Sequence, residues 1–156
     1  MIVDGWTESR YWGFLRGLLR RGFQRFPNKY KALARSKKGR GEYECASCRG
    51  KYKSKEVSVD HIIPCGSLKQ WEDLAPFIKT LFCTTDNLQV LCKECHDYKS
   101  LRDRGMSEKD IRVAAFKRLP AKKQRQVLID NDLHVFEPEL LGSNQEKRIE
   151  QYKRLI

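Results

Sequence analysis

Apolar side chains return at three-to-four spacing through residues 7–26, where Tyr11, Trp12, Phe14, Leu15, Leu18, Leu19, Phe23 and Phe26 are interleaved with Arg10, Arg16, Arg20, Arg21 and Arg25. That period predicts an amphipathic helix, ended by Pro27. From Asn28 to Glu44 the periodicity fades into basic residues. The run SKKGRGE reads as a glycine-broken loop, with residues 35–42 as a flexible hinge. In KEVSVDHII, Val57, Val59 and Ile62 predict a strand that runs into a reactive loop. Residues 67–82 open on a Ser67/Gln70 capping box and contain Pro76, which predicts two short helices with a break near the proline, packed by Trp71, Leu74, Phe77 and Leu81. Asp86 and Asn87 turn the chain into the apolar strand LQVLC, and KECHDYKSLRDRG follows as a helix stopped by Gly105. The central order is strand, helical insertion, strand, helix. Beyond it, Ser107 with Asp110 opens a helix through Leu119, Pro120 starts another toward Leu128, and the charged residues 143–156 form a third. These last helices carry no catalytic pattern; they suit covering a core or pairing with another chain.

A chain of 156 residues has room for one compact domain with helical additions, not for two full domains. The expected segments are a basic helical one at 1–42, a central domain at 43–105 with its insertion at 67–82, and a helical extension at 106–156. No run of 18 apolar residues is present, and the start MIVDGWTESR lacks the pattern of a signal peptide, so a soluble intracellular protein without a membrane partner is expected.

Charge changes this picture more than length does. The net charge is +12, and residues 1–55 hold 15 Lys and Arg against 4 Asp and Glu. Such an excess calls for a polyanion, because Lys and Arg displace the counterions condensed on a phosphate backbone. DNA is the expected partner. Arg16, Arg20, Arg21, Arg25, Lys29, Lys31, Lys37, Lys38 and Arg40 are the candidate contacts, supplying affinity more than base selection.

Six cysteines fit three disulfides in a secreted miniprotein, but the spacing of four of them points to metal. Cys45-x-x-Cys48 and Cys92-x-x-Cys95 have knuckle spacing, which lets each turn offer two thiolates to one tetrahedral zinc. The 43 residues between the pairs are accounted for by the insertion. Four thiolates close the coordination sphere, so this Zn²⁺ is expected to hold the fold together and do no chemistry. Cys65 and Cys83 have no knuckle partner and read as small, buried residues near the insertion.

A second cluster comprises Asp60-His61, Asn87 and His96, the last directly after a zinc ligand. A carboxylate and an imidazole suit a divalent ion with open water positions, beside a second imidazole free to act as a base. Asn87 is equally compatible with an ordinary turn residue before a strand. For Lys99 and Arg102, a solvated face and a phosphate contact are equally compatible. The third histidine, His134, lies in a charged linker and reads as a surface residue.

VDHIIP at 59–64 with NLQVLCKECHDYKS at 87–100 resembles the HNH endonuclease signature in its four-cysteine variety, including the nine-residue step from Asn87 to His96. The resemblance is specific over residues 43–100, and the segment WGFLRGLLRRGFQRFPNKY is similar to that of bacteriophage members. It implies an α+β fold with a ββα-metal core, and a metal-dependent DNA endonuclease that hydrolyses phosphodiester bonds. By that resemblance His61 is the general base, Asp60 and His96 hold Mg²⁺ or a similar ion, and Asn87 fastens the loop that carries His61. The products would carry 5′-phosphate and 3′-hydroxyl ends. General-base assistance contributes about 10²–10⁴ in rate. Two other readings stand beside this one. The chain is compatible with a zinc-stabilised DNA-binding module without catalysis, and with an accessory factor of a phage packaging or replication machine. In the latter the C-terminal helices would dock a phage protein or a second copy. Homing is a further role open to such nucleases, and a phage-encoded protein would act in the bacterial cytoplasm.

Overall fold

The structure, a computed structural model, describes residues 4–131 and 144–156. His134 lies outside the described residues. The chain divides into two compact units, residues 1–97 and 98–156.

In the first unit, α1 (Glu8–Phe23) is capped by Thr7, whose hydroxyl accepts a hydrogen bond from the Arg10 backbone N–H at 3.2 Å. It buries Trp12 and Phe23 and keeps Arg20 and Arg21 in its last turn, where they oppose the helix dipole. A second helix, α2 (Pro27–Arg35), follows at once. The sequence pattern from Asn28 onward is basic and predicts no helix there. Pro27 does end the first helix, but it also sits at the first position of the next, where its missing N–H is one that no helix bonds internally.

The expected hinge at 35–42 is likewise ordered. Strands β1 (Lys37–Gly39), β2 (Glu42–Glu44) and β3 (Lys51–Lys53) form an antiparallel sheet in that order. Gly41, with φ +71°, supplies the left-handed residue of the β1–β2 turn, so the glycines of SKKGRGE make a hairpin.

Strand β4 (Val57–His61) pairs antiparallel with β5 (Leu88–Cys92), setting Asp60 opposite Gln89 and His61 opposite Leu88. Between them runs one helix, α3 (Leu74–Leu81), entered through a short 3₁₀ turn at Trp71–Asp73. Two helices broken at Pro76 were expected. The proline instead lies in the first turn of α3, where its missing N–H would have had no intrahelical partner. Ser67 caps no helix; the 3₁₀ turn is preceded by Gln70. Helix α4 (Lys93–Arg102) begins directly after β5 and spans the boundary between the units. Trp12, Phe23, Ala32, Leu68, Phe77, Leu81 and Leu88 form the main core of the first unit, with a smaller one around Cys45, Leu91 and Cys92. The architecture is α+β.

The second unit contains α5 (Glu108–Arg118), α6 (Ala121–Asp130) and α7 (Gln145–Leu155). Ser107 caps α5 and Asn144 caps α7 through their side-chain oxygens. Phe116 stacks on Tyr152 with ring centroids 4.2 Å apart. The buried Arg148 donates Nε–H to Gln124 Oε1 at 2.9 Å, and Gln124 Nε2 donates to the Phe116 carbonyl at 3.0 Å. No helix among the described residues is long and apolar enough to cross a membrane.

Candidate metal centre and active site

Cys45 follows β2, and the turn Cys45–Gly50 is closed by two hydrogen bonds: Arg49 N–H to the Cys45 carbonyl at 3.0 Å and Cys45 N–H to the Gly50 carbonyl at 2.9 Å. Arg49 adopts φ +60° within it. At Gly50 a Cβ would meet the Tyr52 ring at 2.9 Å, so the absent side chain lets that ring lie over the turn. The Ala46 N–H bonds the Val90 carbonyl at 2.8 Å and ties the first knuckle to β5, whose last residue is Cys92. Cys95 follows from the first turn of α4. The ligand atoms of Cys45, Cys48, Cys92 and Cys95 all lie within 4.8 Å of one another, with Cys48 Sγ 3.9 Å from Cys92 Sγ. A tetrahedral zinc with sulfur at about 2.3 Å requires sulfur–sulfur edges of about 3.8 Å. The four cysteines thus fit a zinc ion, in donor type as in spacing.

The thiols are not equivalent. The Tyr52 hydroxyl, 3.3 Å from Cys48 Sγ, and the Gly50 backbone hold the Cys48 thiol down to about 6. Burial pushes Cys95 up to about 12. Tyr52 is itself raised by bonding to Cys48 and Cys92. A bound divalent ion favours the thiolate at every position, most strongly where burial otherwise opposes it.

Asp60 and His96 converge from β4 and α4. His96 Nε2 lies 3.9 Å from Asp60 Oδ1, and the Gln89 side chain, opposite Asp60 in the ladder, donates to Asp60 Oδ2 at 3.4 Å. On the other side of the imidazole, His96 Nδ1 is 3.8 Å from Asp97 Oδ1. The imidazole thus lies between two carboxylates at nearly equal distances, one from β4 and one from its own helix.

His61 lies at the end of β4 and is 8 % exposed. Its ring packs on Phe23 at 4.8 Å between centroids, and its Nε2 is 3.0 Å from the Leu81 carbonyl, at the end of α3. Because a carbonyl only accepts, this contact puts the hydrogen on Nε2 and leaves the lone pair on Nδ1. Asn87 fixes the chain just beyond. Its Oδ1 accepts from Ile63 N–H at 2.8 Å, its Nδ2 donates to the Ile63 carbonyl at 3.3 Å, and its own carbonyl accepts from Ile62 N–H at 2.9 Å.

Among the candidate DNA contacts, Arg20, Arg21, Arg25, Lys31, Lys37, Lys38 and Arg40 are exposed, while Arg16 and Lys29 are half-buried. Lys29 bonds Gln24, and Lys38 lies 3.7 Å from Glu44. Cys65 and Cys83 both pack at the edge of the main core. Four contributors escaped the sequence reading: Tyr52, Phe23, Gln89 and the Leu81 carbonyl. The first three carried a faint signal in position, four residues after Cys48, at the end of a helical apolar row, and beside Asn87 and Leu88. A backbone carbonyl carries none.

No protein-family model matches the chain, and no solved structure does. The curated "Probable HNH endonuclease" of Lactococcus phage SK1 is 28% identical over 97 residues, which cover 62% of this chain and 77% of that protein. Together with the four-cysteine cluster, this similarity supports an HNH-like relationship.

Proposed function

We propose that the protein is a divalent-metal-dependent DNA endonuclease of the HNH type, with β4, β5 and α4 as its ββα-metal core. The observation that carries the reading is the approach of Asp60 and His96 to 3.9 Å, with His61 the next residue along β4. The phage relative supports the same class. The arrangement divides the chemistry among the residues. Asp60 and His96 would hold a divalent ion through one carboxylate oxygen and one imidazole nitrogen, and such an ion would supply charge stabilisation at the phosphate and at the leaving 3′ oxygen. His61 Nδ1 accepts the proton of the attacking water, while its Nε2–H stays on the Leu81 carbonyl and keeps the ring from turning. Asn87 holds the chain that follows His61. The nine basic residues of the N-terminal third bind the phosphate backbone, and Cys45, Cys48, Cys92 and Cys95 hold structural zinc that keeps α4 against the sheet.

A single specific observation favours a second reading, a zinc-stabilised DNA binder without catalysis: the burial of the His61 ring under Phe23. The experiment that separates the two is conversion of supercoiled plasmid with added Mg²⁺ or Mn²⁺, run with wild-type protein, His61→Ala and Asp60→Asn. Nicked product from the wild type alone is expected, with DNA binding retained by all three. An intact plasmid in every lane, with binding intact, would sink the nuclease and leave the binder.

A further inference from the structure

Immediately after His61 the chain presents two large apolar side chains to solvent, Ile62 at 48 % and Ile63 at 68 % exposure, followed by the exposed Pro64. Exposed isoleucines on a slack loop fold back onto the nearest apolar surface. These cannot readily do so. Asn87 makes three hydrogen bonds to the backbones of Ile62 and Ile63, so the loop is held with its apolar side chains outward. Burial raises the Cys65 thiol, two positions beyond Ile63, and the Arg20 guanidinium of α1 acts against that rise while the Asp60 carboxylate adds to it, so a cation of the basic helix lies within electrostatic reach of the loop's far end. Phe23, one helical turn after Arg20, lies on the His61 ring at the other end of the loop. An outward apolar dipeptide near an arginine of the basic N-terminal helix complements a nucleic-acid duplex, whose phosphates take the cation and whose stacked bases take the apolar wedge. Proteins that bend DNA insert isoleucine, leucine, methionine or proline between base steps in this way, unstacking them.

We propose that Ile62 and Ile63 form a wedge that enters a groove of duplex DNA and locally unstacks it, setting the backbone next to His61. The inference rests on the DNA-endonuclease reading for its ligand, but its test reads DNA geometry instead of cleavage. Plasmid is bound by the full-length zinc protein without added Mg²⁺ or Mn²⁺, relaxed by a type IB topoisomerase, which needs no metal, and stripped of protein. The topoisomer distribution is then read on a gel. Wild-type protein at saturation is expected to shift the distribution to lower linking number. Ile62→Ala/Ile63→Ala should lose the shift while keeping its zinc and its plasmid affinity within about twofold, as expected where phosphate contacts dominate affinity. Ile63→Leu, which keeps an apolar side chain of the same size, should retain it. A shift that survives the double alanine substitution overturns the wedge, as does wild-type protein that saturates the plasmid without any shift. Nicking measured in parallel with the divalent ion separates the two readings. Nicking without a linking-number shift removes the wedge alone, whereas a shift without nicking removes the endonuclease and leaves the wedge standing.

Discussion

Asn87 donates and accepts at the same backbone residue, Ile63, and no other side chain of its size can do both in that geometry. Asn87→Ala should therefore cost about 1–2 kcal/mol in urea unfolding, the range for two partly exposed hydrogen bonds. It should slow plasmid nicking at least tenfold with little change in DNA affinity. An unchanged nicking rate in a variant that melts early would make Asn87 a stabilising turn residue only. At this scale the sequence was informative about identity and less so about environment. Asp60, His61, Asn87 and His96 stand out as types that titrate, ligate or turn a chain, and they do gather near β4 and β5. That the His61 ring would be covered by Phe23 and fixed by the Leu81 carbonyl depends on helices 20 or more residues away in the chain.

The elements explain how two knuckles 43 residues apart meet. The β4–β5 ladder places Val57 opposite Cys92, and the Ala46–Val90 hydrogen bond brings the first knuckle against the same strand. Four thiols within 4.8 Å are mutually costly once ionised unless a cation sits among them. Cys92→Ser is expected to abolish stoichiometric zinc binding and to unfold the first unit, with loss of far-ultraviolet circular dichroism on chelation mirrored in the variant. A Cys92→Ser protein that stays folded and keeps one zinc would show that the four cysteines are not the ligand set. Helix α1 was legible from its apolar period and α5 from its Ser107 cap, while the caps Thr7 and Asn144 emerge only in the structure. The hairpin at 37–44 was not legible. Its strands, Lys37-Lys38-Gly39 and Glu42-Tyr43-Glu44, are only three residues long, too short for a period to show, and their pairing comes from neighbouring strands.

At the scale of the whole molecule, charge and division into units make separate predictions. Plasmid affinity should fall steeply with salt, and Arg20→Gln and Arg21→Gln should each reduce the slope of log affinity against log salt by about one. A slope unaltered by both would take the α1 arginines out of the interface. All candidate catalytic and zinc-binding residues belong to residues 1–97. Deleting 107–156 should leave zinc content and nicking intact, and loss of both would make the C-terminal helices part of the nuclease fold. The sequence by itself determined the basic N-terminal third, the two knuckles, the candidate cluster and most helices. Each of these is set by residue type at short spacing, through the 3.6-residue period, the cap or the reach of a two-residue turn. Only the tertiary structure decided the order hidden in 28–44, the single helix of the insertion, the burial of His61 and the outward hold on Ile62 and Ile63. Those follow from contacts between segments distant in the chain, where packing and backbone hydrogen bonding override what the local pattern prefers.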